Sequence, residues 1–503
     1  MHSYWWINAL LLVPIVAMVA VLATKAVEGA AFIIGSVAAG VEVVLALVVT
    51  FLYAHSGVAG VSGSLKFVDF AHRHVLAPSF GFAYDVGLDG ISLFLVALTA
   101  IVVFLALVGA RERRSEPAFV AWMLLLTSAT IGAFVSRDLL EFFLFFELTL
   151  IPSYFMIAGW GGAERARAAL KFFIYTLFGS GFLLVGMIYL AVIAQNQDHG
   201  ALSFSYAVLA HASITHSTAV WIFVAFAIAF AVKSPIWPLH TWSPLAYAEA
   251  PIGGSMVLSA LLAKLGTYGL LRFGVLLLPG ALHTVQPYML TLAVIGILYG
   301  SALAAVSKDL KRLVAYSSLA QVGFIVLGVM SGSRIATSGA VLLMFNHGVI
   351  TAGFFLLIGM VQRRRGTATI SELSGLQRPA PVLAALFTVV MLASIGLPGL
   401  SGFISEFLVL LGTFNTHRWW AVVASTGVIF AALYLLWAYQ RVFHGRAEGD
   451  NEKMADATNS ERLVLIPIVI LVVVLGVFPR PVLDRITPTV HANVASTTQV
   501  GSK

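Results

Sequence analysis

Fourteen apolar runs, each long enough to cross a bilayer, leave this chain few folds to choose from. They lie near 4–24, 30–53, 86–109, 117–135, 138–158, 170–194, 219–245, 251–274, 286–306, 311–331, 336–361, 380–413, 419–440 and 461–480. A helical span needs about 20 apolar residues, and inside hydrocarbon each backbone polar group must be satisfied within its own segment, so such runs are helices. The chain is 60% hydrophobic and 10% charged, a balance that excludes a soluble globular domain. The expected fold is all-α, a polytopic membrane protein of about 14 transmembrane helices. The opening MHSYWWINALLLVPIVAMVAVLAT lacks a charged n-region and a small-residue cleavage site, so it reads as a retained first span. Residues 54–85 and 195–218 read as longer polar loops.

Two of the runs are interrupted. The seventh is broken at Lys233-Ser234-Pro235-Ile236-Trp237-Pro238, where each proline lacks a backbone N–H and clashes with the carbonyl four residues back. The twelfth is broken at Gly396-Leu397-Pro398-Gly399, with Glu406 in its second half. Broken helices five spans apart point in opposite directions through the bilayer, which is the mark of an inverted repeat and of a transport site near the midplane. The expected organisation is residues 1–116 as three N-terminal spans, 117–274 and 286–440 as two inverted five-helix repeats, and 441–503 as the last span and tail.

Charge placement orients these spans. Lys233 and Lys264 lie inside them; of the other basic residues, twice as many fall in odd-numbered connections as in even-numbered connections and the tail. Positive residues accumulate on the cytoplasmic side. Both termini are therefore expected outside, and the net charge of +7 reflects loop composition and not a nucleic-acid partner. The sequence has no cysteine, which excludes thiolate chemistry and cysteine-ligated iron–sulfur clusters on this chain. No strand–glycine-loop–helix pattern is present to hold a nucleotide; Gly179-Ser180-Gly181 sits in an apolar run and eases helix packing.

Five ionisable residues lie deep in spans: Glu147 in the fifth, Lys233 in the seventh, Lys264 in the eighth, His347 in the eleventh and Glu406 in the twelfth. Any one could be a structural group held by a neighbouring helix. Five together, two of them at helix breaks, point to an ion or proton path, because intramembrane charge is costly to keep. A buried Glu–Lys pair that can be made and broken is a switch for one proton, and a histidine exchanges protons near neutral pH with little tuning. Three candidates are weaker: Glu42 could equally be a helix-packing acid, Glu141 lies nearer the membrane surface and need not share the face of Glu147, and His240 reads as a structural or accessory group. Ser307-Lys308-Asp309-Leu310-Lys311-Arg312 reads as a cytoplasmic helix end.

The motifs also resemble a known family. Asp89-Gly90-Ile91-Ser92, Phe146-Glu147 through Pro152, Ala169-Leu170-Lys171, Phe230-Ala231-Val232-Lys233-Ser234-Pro235, His240-Thr241-Trp242, Glu249-Ala250-Pro251, Leu262-Ala263-Lys264, Lys308 through Ser318 and Gly396 through Phe407 are similar to those of the antiporter-like subunits of respiratory complex I. Glutamate in the twelfth span resembles the M-type subunits, where sister subunits place lysine. Two stretches depart from the pattern: Ser243-Pro244-Leu245-Ala246-Tyr247 replaces Leu-Pro-Asp-Ala-His, and Gln321 stands where many relatives have histidine. The resemblance implies a proton path through Glu147, Lys233, Lys264, His347 and Glu406. It also implies a cofactor-free subunit of a proton-translocating NADH:quinone oxidoreductase in the bacterial inner membrane. NAD, flavin, iron–sulfur clusters and quinone would sit on partner subunits, and sister antiporter-like subunits would flank this one. The alternatives are a chain of a multi-subunit sodium/proton antiporter and a purely structural membrane subunit.

Overall fold

A computed structural model describes residues 4–53, 65, 67–109, 116–198 and 201–500. The basic loop residues Arg111, Arg113 and Arg114 lie outside the described residues. Among the described residues, thirteen helices are long and apolar enough to cross a membrane, from Trp5–Ala23 to Asn459–Val477. The fourteenth expected span, the twelfth in order, is a pair of shorter helices, Pro381–Ile395 and Ser401–Thr416. The eighth (Ile252–Val275) and eleventh (Arg334–Arg365) spans are buried throughout their apolar windows, whereas the first, second and last lie mostly at the surface. The core is therefore built around the eighth, tenth and eleventh spans.

Both predicted breaks are present, and the residues around each explain how its backbone is satisfied. The seventh helix ends at Lys233 and resumes as Ser243–Glu249. Pro235 cannot donate to the Ala231 carbonyl, so the Ile236 N–H takes it instead at 2.8 Å. That leaves the Val232 carbonyl, which accepts from the Trp242 indole N–H at 2.8 Å. The first half of the twelfth span ends with Gly396 at φ +81°, in the left-handed region that glycine adopts without strain. The Leu397 N–H then donates to the Leu392 carbonyl at 3.0 Å, the six-to-one bond of a Schellman end. The fifth span is also divided, Leu139–Leu148 and Leu150–Trp160, just before Pro152.

The eighth span carries π-helical segments at Leu258–Leu262 and Leu270–Val275, with the α-helical turn Ala263–Gly269 between them. Such segments leave carbonyls available to side chains and recur at functional sites. At Gly266 an added Cβ would lie 2.2 Å from Ser234 Oγ and 2.6 Å from the Phe230 carbonyl, so only glycine permits the seventh and eighth spans to approach this closely. Gly179 serves packing as expected, since its Cβ would lie 2.9 Å from Val232; Gly181 has open space around it.

Three features correct the sequence reading. Residues 69–88, expected as loop and the start of a span, form an antiparallel hairpin of β1 (Asp69–Ala77) and β2 (Phe82–Leu88), with Arg73 opposite Asp85. The tail forms a further helix, Arg480–Val500, whose Thr489 Oγ1 accepts from the Gly90 N–H at 3.1 Å. Arg272, counted as a loop cation, is buried within the eighth span. The hairpin, the start of the fifth span and the 6–7 connection meet at one end of the bundle through the bridges Val86–Ser136 and Asp138–Ser205. Connections 5–6, 7–8, 9–10 and 11–12 meet at the other end around an open cavity of about 870 Å³, lined in part by Glu249, Asp309, Lys311 and Arg363.

Candidate functional site

Four of the five expected residues, Lys233, Lys264, His347 and Glu406, are buried, and Lys264 and His347 are in direct contact. Lys233 is 1% exposed. As the last residue of its half-helix it reaches across to the divided fifth span, where its Nζ donates to Thr149 Oγ1 at 2.8 Å and to the Phe146 carbonyl at 3.2 Å. The same ammonium lies 4.4 Å from the centroid of the Phe146 ring. Glu147 follows Phe146 directly, but it is only half-buried and its Oε1 has no hydrogen-bond partner among the described residues. Among the described residues Lys233 thus bonds not to the Glu147 carboxylate but to the Phe146 carbonyl and the Thr149 hydroxyl, on either side of Glu147 in the chain.

One hydrogen bond joins this first station to the next. Ser234 Oγ donates to the Ala263 carbonyl at 2.5 Å, linking the neighbour of Lys233 to the neighbour of Lys264. Lys264 has no exposure. Its Nζ donates to the Ser259 carbonyl at 2.8 Å, within the first π-helical segment, and lies 2.8 Å from His347 Nδ1. With the ammonium as donor, His347 Nδ1 is the acceptor and the ring proton sits on Nε2, 2.9 Å from Thr351 Oγ1. Chemically, an ammonium and an imidazole in direct contact can exchange a proton without an intervening group.

Two polar trails lead from this contact toward Glu406. Along one, Ser259 Oγ is 3.0 Å from Ser318 Oγ. Gln321, one turn further on the tenth span, donates from Nε2 to Glu406 Oε1 at 2.8 Å. Along the other, Asn346, beside His347, donates from Nδ2 to the Ser401 carbonyl at 2.7 Å and to Ser405 Oγ at 3.4 Å, next to Glu406. Glu406 is 5% exposed. At Gly396 an added Cβ would lie 2.9 Å from Glu406 Oε2, so the break leaves room for the carboxylate as well as ending the helix. The Gln321 and Asn346 amide oxygens, both buried, have no hydrogen-bond partner among the described residues. Sequence reasoning noted Gln321 as a group that cannot titrate and passed over Ser259, Ser318 and Asn346; their signal is a polar residue inside an apolar span.

The weaker candidates stand apart from this line. His240 is buried in the seventh break, edge-on to Tyr299 with centroids 5.1 Å apart. Glu42 is buried in the second span, and neither carboxylate oxygen has a partner. Arg272 is held by Asp89 at 2.6 Å, both side chains about 3% exposed or less, and donates from Nε to Tyr268 Oη at 3.3 Å. Asp89 also accepts from the Ile91 and Ser92 N–H groups, both at 3.0 Å. So many fixed bonds make this pair a clamp between the third and eighth spans.

Residues 136–431 match the family described as NADH:quinone oxidoreductase/Mrp antiporter, transmembrane. The chain belongs to that family. Within this quinone oxidoreductase/antiporter family, it is 35% identical to the NADH-quinone oxidoreductase subunit M of Mycobacterium tuberculosis, over 98% of this chain and 94% of that one. It is 38% identical to the subunit M of Rhodobacter capsulatus over 88% of each. A chain of respiratory complex I from Thermus thermophilus superimposes with a TM-score of 0.87 at 34% identity, covering 97% of this chain and 99% of that one. A chain of the Mrp complex from Dietzia shares the fold, with a TM-score of 0.79 at 19% identity, covering 98% of this chain and 99% of that one.

Proposed function

We propose that this chain is the M-type, proton-carrying membrane subunit of an NADH:quinone oxidoreductase. The observation that carries the reading is Lys264, fully buried, its ammonium held between the Ser259 carbonyl and His347 Nδ1. A permanent structural charge would be expected to rest on a carboxylate, as Arg272 does. A carbonyl and a neutral imidazole suit a group that gains and loses its proton. The identities of 34–38% to quinone oxidoreductase chains, against 19% to the Mrp chain, favour this reading over the antiporter.

In this reading a proton enters at the Glu147–Lys233 station. It passes to Lys264 and His347 and leaves by Glu406, with water at the unpartnered Gln321 and Asn346 oxygens completing the second half. Spans four to eight and nine to thirteen act as inverted repeats, each contributing one broken helix. Both termini face the outside of a bacterial inner membrane, sister antiporter-like subunits pack on either side, lipid covers the remainder, and nucleic acid has no part. The chain contains no cysteine. That leaves no ligand for a cysteine-held iron–sulfur cluster here, and in this reading NADH oxidation with its flavin and quinone chemistry belongs to partner subunits. Carrying one charge against the membrane potential costs about 2.3 kcal/mol per 100 mV, so the driving energy arrives through subunit contacts.

The test is acidification of inside-out vesicles on NADH addition. Glu147→Gln and Lys233→Ala should each cut pumping sharply in an assembled complex. Full pumping by both variants would overturn the reading.

A further inference from the structure

At the hairpin end, three carboxyl groups are buried together: Asp85 and Glu141 are 2% exposed and Asp138 is fully buried. Glu141 Oε2 accepts from the Asp85 N–H at 3.1 Å, and Asp138 Oδ1 accepts from the Leu140 and Glu141 N–H groups at 3.0 and 3.1 Å. One oxygen of each, Asp85 Oδ1, Asp138 Oδ2 and Glu141 Oε1, has no hydrogen-bond partner among the described residues. The facing cations are Arg137, 3.6 Å from Asp85 Oδ1, and Arg73 on β1, 3.9 Å from Asp85 Oδ2. Ser205 Oγ lies 3.5 Å from Asp85 Oδ2. His72 stacks on Tyr4 at 4.0 Å, and the Tyr84 hydroxyl donates to Asn8 Oδ1 at 2.6 Å. Three carboxylates against two guanidiniums leave one negative charge, which a single proton neutralises; like charges this close share protons and do not all ionise. Burial pushes the Asp85 carboxyl up from its ordinary value, against the pull of Arg137 and Arg73.

Immediately beneath this cluster the chemistry changes. Phe142, the residue after Glu141, packs its ring against Phe273 at 4.6 Å, Phe146 at 5.4 Å, Phe230 at 6.2 Å and Tyr268 at 6.3 Å. All five side chains are buried. The Tyr268 hydroxyl is committed to the Phe134 carbonyl at 2.9 Å. On the far side of the layer, the Phe146 ring carries the Lys233 ammonium. Apart from the Tyr268 hydroxyl, already engaged by the Phe134 carbonyl and the Arg272 Nε–H at 3.3 Å, the packed rings offer no polar atom on which a proton can rest.

We infer that Asp85, Asp138 and Glu141 form a proton-exchange site at the outer face, kept apart from Lys233 by the ring layer centred on Phe142. The inference rests on the relay reading of Lys233 and the orientation given above. A proton from the outer solution adds to one carboxylate as an O–H bond, and no other bond changes. With the rings closed that proton stops there. When they part, it has a route to Lys233, so the layer prevents return flow past the pair.

The test uses the assembled complex in inside-out vesicles, whose lumen is the outer side. Phe142→Ala should leave NADH oxidation in place, lower the steady-state pH gradient and speed the collapse of an imposed gradient severalfold. Phe142→Leu, which keeps the site filled and apolar, should stay tight. Adding Asp138→Asn and Glu141→Gln to Phe142→Ala should return the leak toward wild type. Wild-type tightness in assembled Phe142→Ala, or a leak undiminished by removing the two acids, would overturn the inference. Should Phe142→Ala fail to assemble, infrared spectroscopy decides: a protonated-carboxyl band lost in Asp138→Asn or Glu141→Gln supports the site, and an unchanged band in both overturns it. The relay reading fails separately, if Lys233→Ala pumps normally.

Discussion

Replacing Glu406 with glutamine separates a proton carrier from a hydrogen-bond partner. In the wild type, Gln321 Nε2 donates to Glu406 Oε1 at 2.8 Å inside a pocket that leaves the glutamate 5% exposed. A glutamine at 406 has nearly the same volume and can present its own amide oxygen to Gln321, so the contact survives as a neutral bond. Hydrogen bonds to charged groups contribute about 1.5–3 kcal/mol and neutral ones about 0.5–1.5 kcal/mol, a loss of roughly 1 kcal/mol. Removing a buried charge relieves a desolvation cost of several kcal/mol, which offsets that loss. The complex should therefore assemble normally. What the amide cannot do is accept and release a proton, so pumping should fall to background while assembly is unaltered. Glu406→Asp draws the carboxyl back by about one C–C bond, ~1.5 Å. It should retain part of the activity, with water filling the gap to Gln321. The assay is NADH-driven acidification of inside-out vesicles, with NADH consumption and the native-gel band of the complex measured alongside. Wild-type acidification by Glu406→Gln would refute the argument and move the outlet elsewhere.

Other substitutions probe the frame that holds the relay. Asp89→Ala strands the buried Arg272 guanidinium at a cost of about 3–5 kcal/mol. It should reduce the amount of assembled complex on a native gel, and Asp89→Ala with Arg272→Met should recover part of it because no unpaired charge remains. Gly266→Ala would place a Cβ 2.2 Å from Ser234 Oγ. It should spread the seventh and eighth spans at a cost of about 1–3 kcal/mol, lowering both pumping and thermal stability of the purified complex; unchanged values would show that the close approach is dispensable.

Much of this architecture was legible because membrane spans announce themselves by length and hydropathy, and because Pro235, Pro238, Gly396 and Pro398 mark breaks that no other residues would make. The residues of the proposed relay were legible for the same reason, since a Lys or Glu within a long apolar run stands out. Their pairing was not. Apolar runs carry almost no information about which helix face meets which neighbour, so the contact between Lys264 and His347, 83 positions apart in the chain, and the Ser259–Ser318 bridge came only from the packed structure. Glu147 looked as deep as Lys233 in sequence but is half-buried, because hydropathy does not separate a surface-facing side of a span from a core-facing one. Arg272 was misplaced because it stands near the end of its apolar run, where a cation is usually read as a flank. The hairpin escaped notice because Asp69–Ala77, DFAHRHVLA, lacks the strict apolar–polar alternation of a half-buried strand, and its strand character comes from pairing with Phe82–Leu88.

The central claim is that Lys264 works by releasing a proton. Arginine keeps the positive charge and can donate to both the Ser259 carbonyl and His347 Nδ1, but it holds its proton at any accessible pH. The larger head group in a site without exposure costs about 1–3 kcal/mol of overpacking, so a conservative control, Lys264→Met, belongs beside it. The decisive measurement is the rate of NADH-driven acidification in sealed inside-out vesicles for Lys264→Arg, normalised to assembled complex. A relay lysine predicts that both variants fail to pump. Wild-type pumping by Lys264→Arg would show that only charge is required at this position, and the relay role would have to be given up.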